Sequence, residues 1–389
     1  MPGVVPTANA SSPAADDAVL DSVLVLWPVT PESVLDSLKT VFRKVAYFPI
    51  QGPTAAPDAL RPTADDYANA GAIFAFSVPA ELHSPVQTPR LRLFQCCSSG
   101  VNHIEGTPFF KAQGADSQIV WANASGIQTS TIGEHVLGTV LMLTHKLHFL
   151  HLAQRNEHRW VPLKELGGNF IRELNTLKVG VIGYGNIGRE TARLFHACGS
   201  TVLALTRSGR PSAFPSSSFT LAGTGDPDGT LPAAYYSTQS RASRADFFAA
   251  CDVVVNTLPD SPATQRCMTR DEFEAMKGDA VYVNVGRGTT TDHEALVDAL
   301  QAVPREGEAR DAVGTLRIGG ACLDVTDPEP LPASSPLYSL PNVILSPHSS
   351  SLSAEYWQRA LHLLALNATA LGRGERGVNV FRAPEEAKS

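Results

Sequence analysis

The stretch Lys178-Val-Gly-Val-Ile-Gly-Tyr-Gly-Asn-Ile-Gly188 constrains this chain more than any other. It begins as an apolar run suited to a buried parallel strand. It turns on Gly183, Gly185 and Gly188 and enters a helical pattern from Asn186 to about Cys198. In such a turn Gly183 permits the tight bend, Gly185 lets the backbone approach a pyrophosphate, and Gly188 lets the helix pack closely on the strand. The phosphates would sit on unpaired N–H groups at the positive end of that helix. A glycine triplet alone is weak. With a strand before it and a helix after it, this one has the context that a dinucleotide-binding turn requires.

The rest of the chain supplies a sheet for that turn. Apolar runs at 22–27, 45–50, 72–77, 91–96 and 119–123 read as strands, with helical spacing at 31–44 and near 64–70. Further strands are expected at 201–206, 253–257, 280–285, 320–325 and 343–346. Strands alternating with helices predict α/β domains with parallel, doubly wound sheets. A helical segment over 133–158 is too long for one compact layer and suits a connector. Residues 208–243, rich in Ser, Gly, Pro and Ala, read as a surface insertion, because so long a structureless stretch is unusual inside a domain. Residues 303–315 form a second polar insertion. A last helix over 353–371 is expected to cross back onto the first domain. The expected division is a disordered tail over 1–20, a substrate domain from 21–130 and 352–389, and a dinucleotide-binding domain over 131–351.

A chain of 389 residues can hold two domains, and 43% hydrophobic with 18% charged residues is ordinary for a globular protein. The net charge of −7 argues against nucleic-acid or anionic-membrane partners. The apolar stretch near 136–150 is interrupted by His145, Lys146 and His148 and is too short to span a bilayer. Residues 1–20 lack the basic start and apolar run of a secretory signal. The six cysteines show no metal-ligand spacing. Buried free thiols in a reducing, cytoplasmic setting are therefore expected, with no metal.

Several strand ends of the second half carry polar residues. Arg287 follows Val-Asn-Val-Gly, Asp324 and Glu329 lie in Leu-Asp-Val-Thr-Asp-Pro-Glu-Pro, and His348 lies in Ser-Pro-His-Ser. Ligands of open α/β sheets bind outside the carboxyl ends of the strands, so these residues can converge. A 2-oxo acid presents a carboxylate beside a ketone. Arg offers planar paired donors for it. The alkoxide left by hydride addition needs a proton, and His is suited to give one. A carboxylate on the far ring nitrogen would fix the tautomer.

Taken together, these segments resemble the D-isomer-specific 2-hydroxyacid dehydrogenase family. The likeness rests on Val179–Gly188, Leu258-Pro-Asp-Ser-Pro-Ala-Thr264, Val283-Asn-Val-Gly-Arg-Gly288 with Asp292, Leu323-Asp-Val325 with Glu329-Pro330, and Ser346-Pro-His348. Ser99-Gly-Val-Asn-His-Ile104 is similar to the family's substrate-side loop. The resemblance implies Arg287 on the substrate carboxylate and carbonyl, His348 as acid/base, and Glu329 orienting His348. It implies backbone N–H groups of Ser99, Gly100 and Val101 on the substrate. It places the cofactor against Gly183, Tyr184, Gly185, Asn186, Ile187, Gly188, Leu258, Pro259, Thr264, Val285, Gly286, His348 and Ser350, with Asp324 facing the nicotinamide carboxamide. Formate dehydrogenases of the superfamily have Gln where Glu329 stands, which argues against that branch. Asn102 stands where the family usually has Asp, and the 303–315 insertion spaces Arg287 and Glu329 more widely than in most relatives.

Cofactor choice is read at the end of the strand over 201–206. NAD-dependent members usually carry Asp or Glu there for the ribose hydroxyls. This chain has Thr206, then Arg207, Ser208 and Arg210, which suit a 2′-phosphate and resemble NADP-using glyoxylate/hydroxypyruvate reductases. The reading is therefore a Rossmann domain and a flavodoxin-like substrate domain facing across a cleft. The activity expected of it is an NADP-preferring reductase of 2-oxo acids, with NAD as the weaker cofactor and a homodimer as the family's expected assembly. A nucleotide-sensing protein of the corepressor type is the alternative on the same fold.

Overall fold

A computed structural model describes residues 20–28, 32–50, 61–114, 117–166, 171–301 and 318–384. All but the last residue of the expected tail over 1–20, and the insertion over 303–315, lie outside the described residues. The chain divides into two compact units, Met1–Ser125 with Trp357–Ser389, and Gly126–Tyr356.

The first unit runs β1 (Ser22–Leu26), α1 (Glu32–Leu38), β2 (Lys44–Phe48), α2 (Ala64–Asn69), β3 (Ala72–Ala75), β4 (Leu93–Cys96), α3 (Asn102–Glu105), α4 (Pro108–Lys111) and β5 (Val120–Ala122). The second holds α5 (Thr129–Thr144), α6 (Leu147–Leu152), β6 (Lys178–Ile182), α7 (Asn186–Ala197), β7 (Thr201–Thr206), β8 (Ala234–Ser237), α8 (Arg241–Ala250), β9 (Val253–Asn256), α9 (Arg270–Ala275), β10 (Val281–Asn284), α10 (His293–Gln301), β11 (Gly320–Leu323) and β12 (Val343–Leu345). The chain then returns through α11 (Tyr356–Gly372) and β13 (Val380–Arg382) to the first sheet.

The first sheet has the order β13-β5-β4-β3-β1-β2. Without its antiparallel edge strand β13 this is the flavodoxin-like order. Strands β1, β3, β4 and β5 are buried throughout and, Ser22 and Gln95 apart, read as apolar runs, as parallel strands covered on both faces do. Helix α11 is fixed to it by a buried amide pair, Asn367 Nδ2 donating to Gln95 Oε1 at 2.8 Å.

The second sheet is wholly parallel in the order β12-β11-β10-β9-β6-β7-β8. Counted from β6 this is the Rossmann order, with β8 as the third strand. Its core is built from the valines of β6, β9 and β10 together with Phe195, Phe247, Phe273 and Tyr282.

Two expectations need correction. The stretch 208–243 is not structureless. It contains β8 and the start of α8, and the strand escaped notice because Ala234-Tyr-Tyr-Ser237 is a half-buried edge strand without an apolar run. The helix over 133–158 is two helices bent by 74°, broken where Lys146 takes a left-handed backbone (φ 55°). Among the described residues no single helix is long and apolar enough to cross a membrane. All six cysteines are free; four are buried, Cys267 is partly so, and Cys198 is exposed.

Candidate active site

The three fingerprint glycines have three different surroundings. Gly183 has φ 84°, a backbone that side chains disfavour, and its carbonyl accepts Thr257 Oγ1 at 2.9 Å. A Cβ on Gly188 would lie 2.1 Å from the Gly183 carbonyl oxygen, so α7 can meet β6 this closely only with glycine. A Cβ on Gly185 would meet no atom within 4 Å. Gly185 is also the N-cap of α7 and supplies no side-chain cap, which leaves the helix N–H groups to another acceptor. A pyrophosphate fits that position by charge and by donor set.

Beyond β7, a pocket of about 440 Å³ is lined by Tyr184, Thr206, Arg207, Ser208, Arg210, Ser212 and Gln239. It brings together all four residues read from the sequence, and none of its lining residues is acidic. Thr206 also folds the loop, its Oγ1 accepting the Gly209 N–H at 3.1 Å.

The turns after β9 and β10 touch. A Cβ on Gly286 would lie 2.4 Å from the Leu258 carbonyl oxygen. Thr264 Oγ1 donates to the Pro259 carbonyl at 2.6 Å and accepts the Ser261 N–H at 3.0 Å, closing the loop over 258–264. Val285 is buried and donates its N–H to Asn256. Sequence reasoning missed the polar network beneath. Asn256 Nδ2 donates to Tyr282 Oη and Thr290 Oγ1, and Thr290 Oγ1 donates to the Arg287 carbonyl at 2.6 Å. Fully buried Asn284 donates to the same carbonyl at 3.1 Å and accepts the Gly286 N–H. Unpaired, these amides would destabilise the fold; paired, they fix the turn that presents Arg287. The two asparagines ending their strands were the only available signal. The Arg287 guanidinium is half-buried, and Nη1 donates to the Gly286 carbonyl at 2.7 Å.

A Cβ on Gly288 would fall 1.9 Å from the Thr326 carbonyl oxygen, so glycine there lets the 324–329 segment cross the Arg287 turn. Glu329 Oε1 accepts the Thr326 N–H at 3.0 Å, and Glu329 Oε2 accepts His348 Nδ1–H at 3.0 Å. That bond assigns the second ring nitrogen, Nε2, as the outward one. Both side chains are partly exposed, 46% for His348 and 40% for Glu329. They border a cavity of about 470 Å³ whose other walls include Thr326, Pro330, Leu331, Tyr338 and Leu345. His348 has a left-handed backbone (φ 51°), held by its N–H bond to the Asp324 carbonyl at 2.8 Å.

Asp324, expected on the nicotinamide carboxamide, lines the same cavity and also ties down the chain around it. It is 3% exposed, and its oxygens accept Ser346 Oγ at 2.6 Å, Ser349 N–H at 2.9 Å, Ser350 N–H at 3.2 Å and Ser350 Oγ at 2.5 Å. A buried carboxylate needs such donors, and here all of them come from the turn that carries His348. Ser350, expected on the cofactor, is buried and donates both its N–H and its Oγ to Asp324.

Ser99, Gly100 and Val101 belong to the first unit, in the turn between β4 and α3. Val101 is the N-cap of α3, and Ser98 Oγ donates to the Gly100 carbonyl at 2.7 Å.

A glycine turn opening a helix, a basic pocket beside it, and an imidazole held by a carboxylate at the carboxyl ends of parallel strands define a dinucleotide-binding oxidoreductase site. Residues 137–350 match the model of the D-isomer specific 2-hydroxyacid dehydrogenase NAD-binding domain. The chain belongs to the D-isomer specific 2-hydroxyacid dehydrogenase family. It is 32% identical over 231 residues to an uncharacterised protein of Corynebacterium melassecola, 59% of this chain and 64% of that protein. It is 26% identical to a glyoxylate/hydroxypyruvate reductase B of Klebsiella pneumoniae, covering 85% of this chain and 89% of that one. A D-isomer specific 2-hydroxyacid dehydrogenase of Xanthobacter autotrophicus Py2, solved with NADPH and MES, shares the fold. The TM-score is 0.69 at 21% identity, covering 93% and 98% of the two chains. The solved structures it resembles include an NAD complex as well.

Proposed function

We propose that this protein is an NADP-preferring reductase that converts 2-oxo acids to D-2-hydroxy acids, with the second unit holding the cofactor. The observation that carries the reaction is the 3.0 Å bond between His348 Nδ1 and Glu329 at the strand ends that follow the dinucleotide turn. The bound cofactor supplies a hydride. Arg287 holds the substrate carboxylate with its paired N–H donors. With hydride delivered to the carbonyl carbon and the C=O π pair left on oxygen, His348 would serve as the acid, its Nε2–H giving the proton to that oxygen. Glu329 keeps Nδ1–H engaged and Nε2 aimed outward. Asp324 holds the turn that carries His348. Turnover of a panel of 2-oxo acids, followed with NADPH and NADH side by side, tests this reading. Turnover with NADPH well above NADH is expected. Equal or better use of NADH, or no turnover of any 2-oxo acid, overturns it.

The basic, acid-free pocket around Thr206–Arg210 supports the NADP preference. The exposed apolar residues Leu147, Leu152, Trp160 and Leu163 support a homodimer, which light scattering in solution tests.

A further inference from the structure

The segment between β7 and β8 is anchored in an unusual way. Two charged residues in the first turns of α7 are buried, Arg189 at 3% and Glu190 at 0% exposure. A buried guanidinium is tolerated only when its donors are satisfied. Arg189 Nε donates to the Tyr184 carbonyl at 3.0 Å, Nη1 to the Asp226 carbonyl at 2.5 Å, and Nη2 to the Ser212 carbonyl at 2.7 Å. Its plane lies over the rings of Tyr184 (4.9 Å) and Phe214 (5.4 Å).

Further bonds close the network. Tyr184 Oη donates to Asp226 Oδ2 at 2.7 Å, and buried Asp226 in turn accepts the N–H groups of Thr230 and Leu231 at 3.1 and 3.0 Å. Burial first, and then the bond to Asp226, pushes the Tyr184 phenol far above its ordinary range, so it remains a donor. Glu190 Oε2 accepts the Gly225 N–H at 2.6 Å. The segment is thus joined at two places to the helix that the fingerprint opens. Tyr184 and Ser212, both bonded to Arg189, are also walls of the pocket that contains Arg207 and Arg210.

We infer that Arg189 is a positioning residue for the cofactor's ribose 2′-phosphate. Through it the 212–226 segment becomes a fixed wall of the anion pocket, holding Tyr184 and Ser212 against Arg207 and Arg210. The inference rests on the NADP reading above. NADPH uses both the glycine turn and this wall, whereas NADH uses the turn alone, so the two cofactors respond differently to loss of the wall.

The test is the Kd of NADPH and of NADH, measured by fluorescence titration on the full chain. Arg189→Gln is expected to weaken NADPH about ten- to a hundred-fold and NADH about three-fold or less. Should that variant fail to fold, Tyr184→Phe removes only the hydroxyl bound to Asp226 and is expected to shift NADPH alone by about three-fold. Equal losses for both cofactors, the result of a purely structural role, overturn the inference, as does no loss for either. Arg207→Ala, measured in parallel, separates the two readings. If it leaves the NADPH-to-NADH ratio unchanged, the NADP reading falls. If it moves the ratio while the Arg189 and Tyr184 variants do not, only the inference about the wall falls.

Discussion

The two ends of the cofactor-binding sheet's site are built on opposite principles. At the β10–β12 end, each reactive side chain stands on backbone held by buried polar groups. Asn256, Asn284 and Thr290 hold the Arg287 turn, and Asp324 holds the turn of His348. At the β7 end, Arg207, Ser208 and Arg210 are exposed on a loop, and order comes from a wall brought in by a later segment. A group that must meet a reacting atom needs fixed geometry, because small misplacements cost large factors in rate. A phosphate needs converging charge, which exposed guanidiniums of a loop supply once a fixed wall faces them. The contrast predicts that changes at the first end lower turnover and changes at the second end alter cofactor affinity.

The largest effect is expected at His348. His348→Ala should lose about 10²- to 10⁴-fold in kcat while binding cofactor normally. Steady-state rates beside a cofactor titration measure both, and wild-type turnover in a folded variant removes His348 from the reaction. Arg287→Lys keeps the charge and loses the planar fork. The expected result is a KM raised about ten- to a hundred-fold, read from the same assays. A Lys variant that serves equally well would mean that Arg287 acts as a point charge or contacts no substrate.

What the sequence revealed divides along similar lines. The Rossmann sheet was legible because β6, β9 and β10 are nearly continuous runs of Val and Ile, the signature of strands covered on both faces. The candidate acid, its carboxylate and the arginine were legible because they lie just past such runs. Strand β8 was not, since an edge strand carries half-exposed Tyr235 and Tyr236 and follows a stretch rich in turn formers. The bend at Lys146 was hidden, because an apolar helical period continues across it. Arg189 and Glu190 are the hardest case. On a helical pattern both read as solvent-facing, and their burial depends on a segment more than twenty residues later in the chain. Asp324 was noticed, but the donors gathered on it were not. That Ser346, Ser349 and Ser350 all donate to it follows from the path of the turn, which residue spacing does not give.

At the cofactor end, Arg207→Ala should weaken NADPH about ten- to a hundred-fold, the loss of a charge-assisted contact, with kcat at saturating cofactor little changed. NADH affinity should stay near wild type, because the lost contact has no counterpart on it. A drop in kcat without a change in NADPH affinity would erase the distinction between the two ends.

The smallest effects come from deleting one hydroxyl at each end. Ser350 Oγ donates to Asp324 at 2.5 Å in a site 5% exposed. Ser350→Ala leaves a buried carboxylate short of a donor, which should cost about 1.5–3 kcal/mol. The melting temperature of a unit of this size should then fall by several degrees. Among the described residues Ser208 Oγ accepts the Arg210 N–H, at a long 3.3 Å, and the residue is exposed. Ser208→Ala should therefore change stability by less than about 0.5 kcal/mol. Its effect should show only as a slight loss of NADPH affinity. Calorimetry of the two variants makes the comparison on identical chemistry. Equal melting temperatures would show that the Asp324 turn is no more tightly determined than the exposed phosphate loop, and the contrast between the two ends would fail at its base.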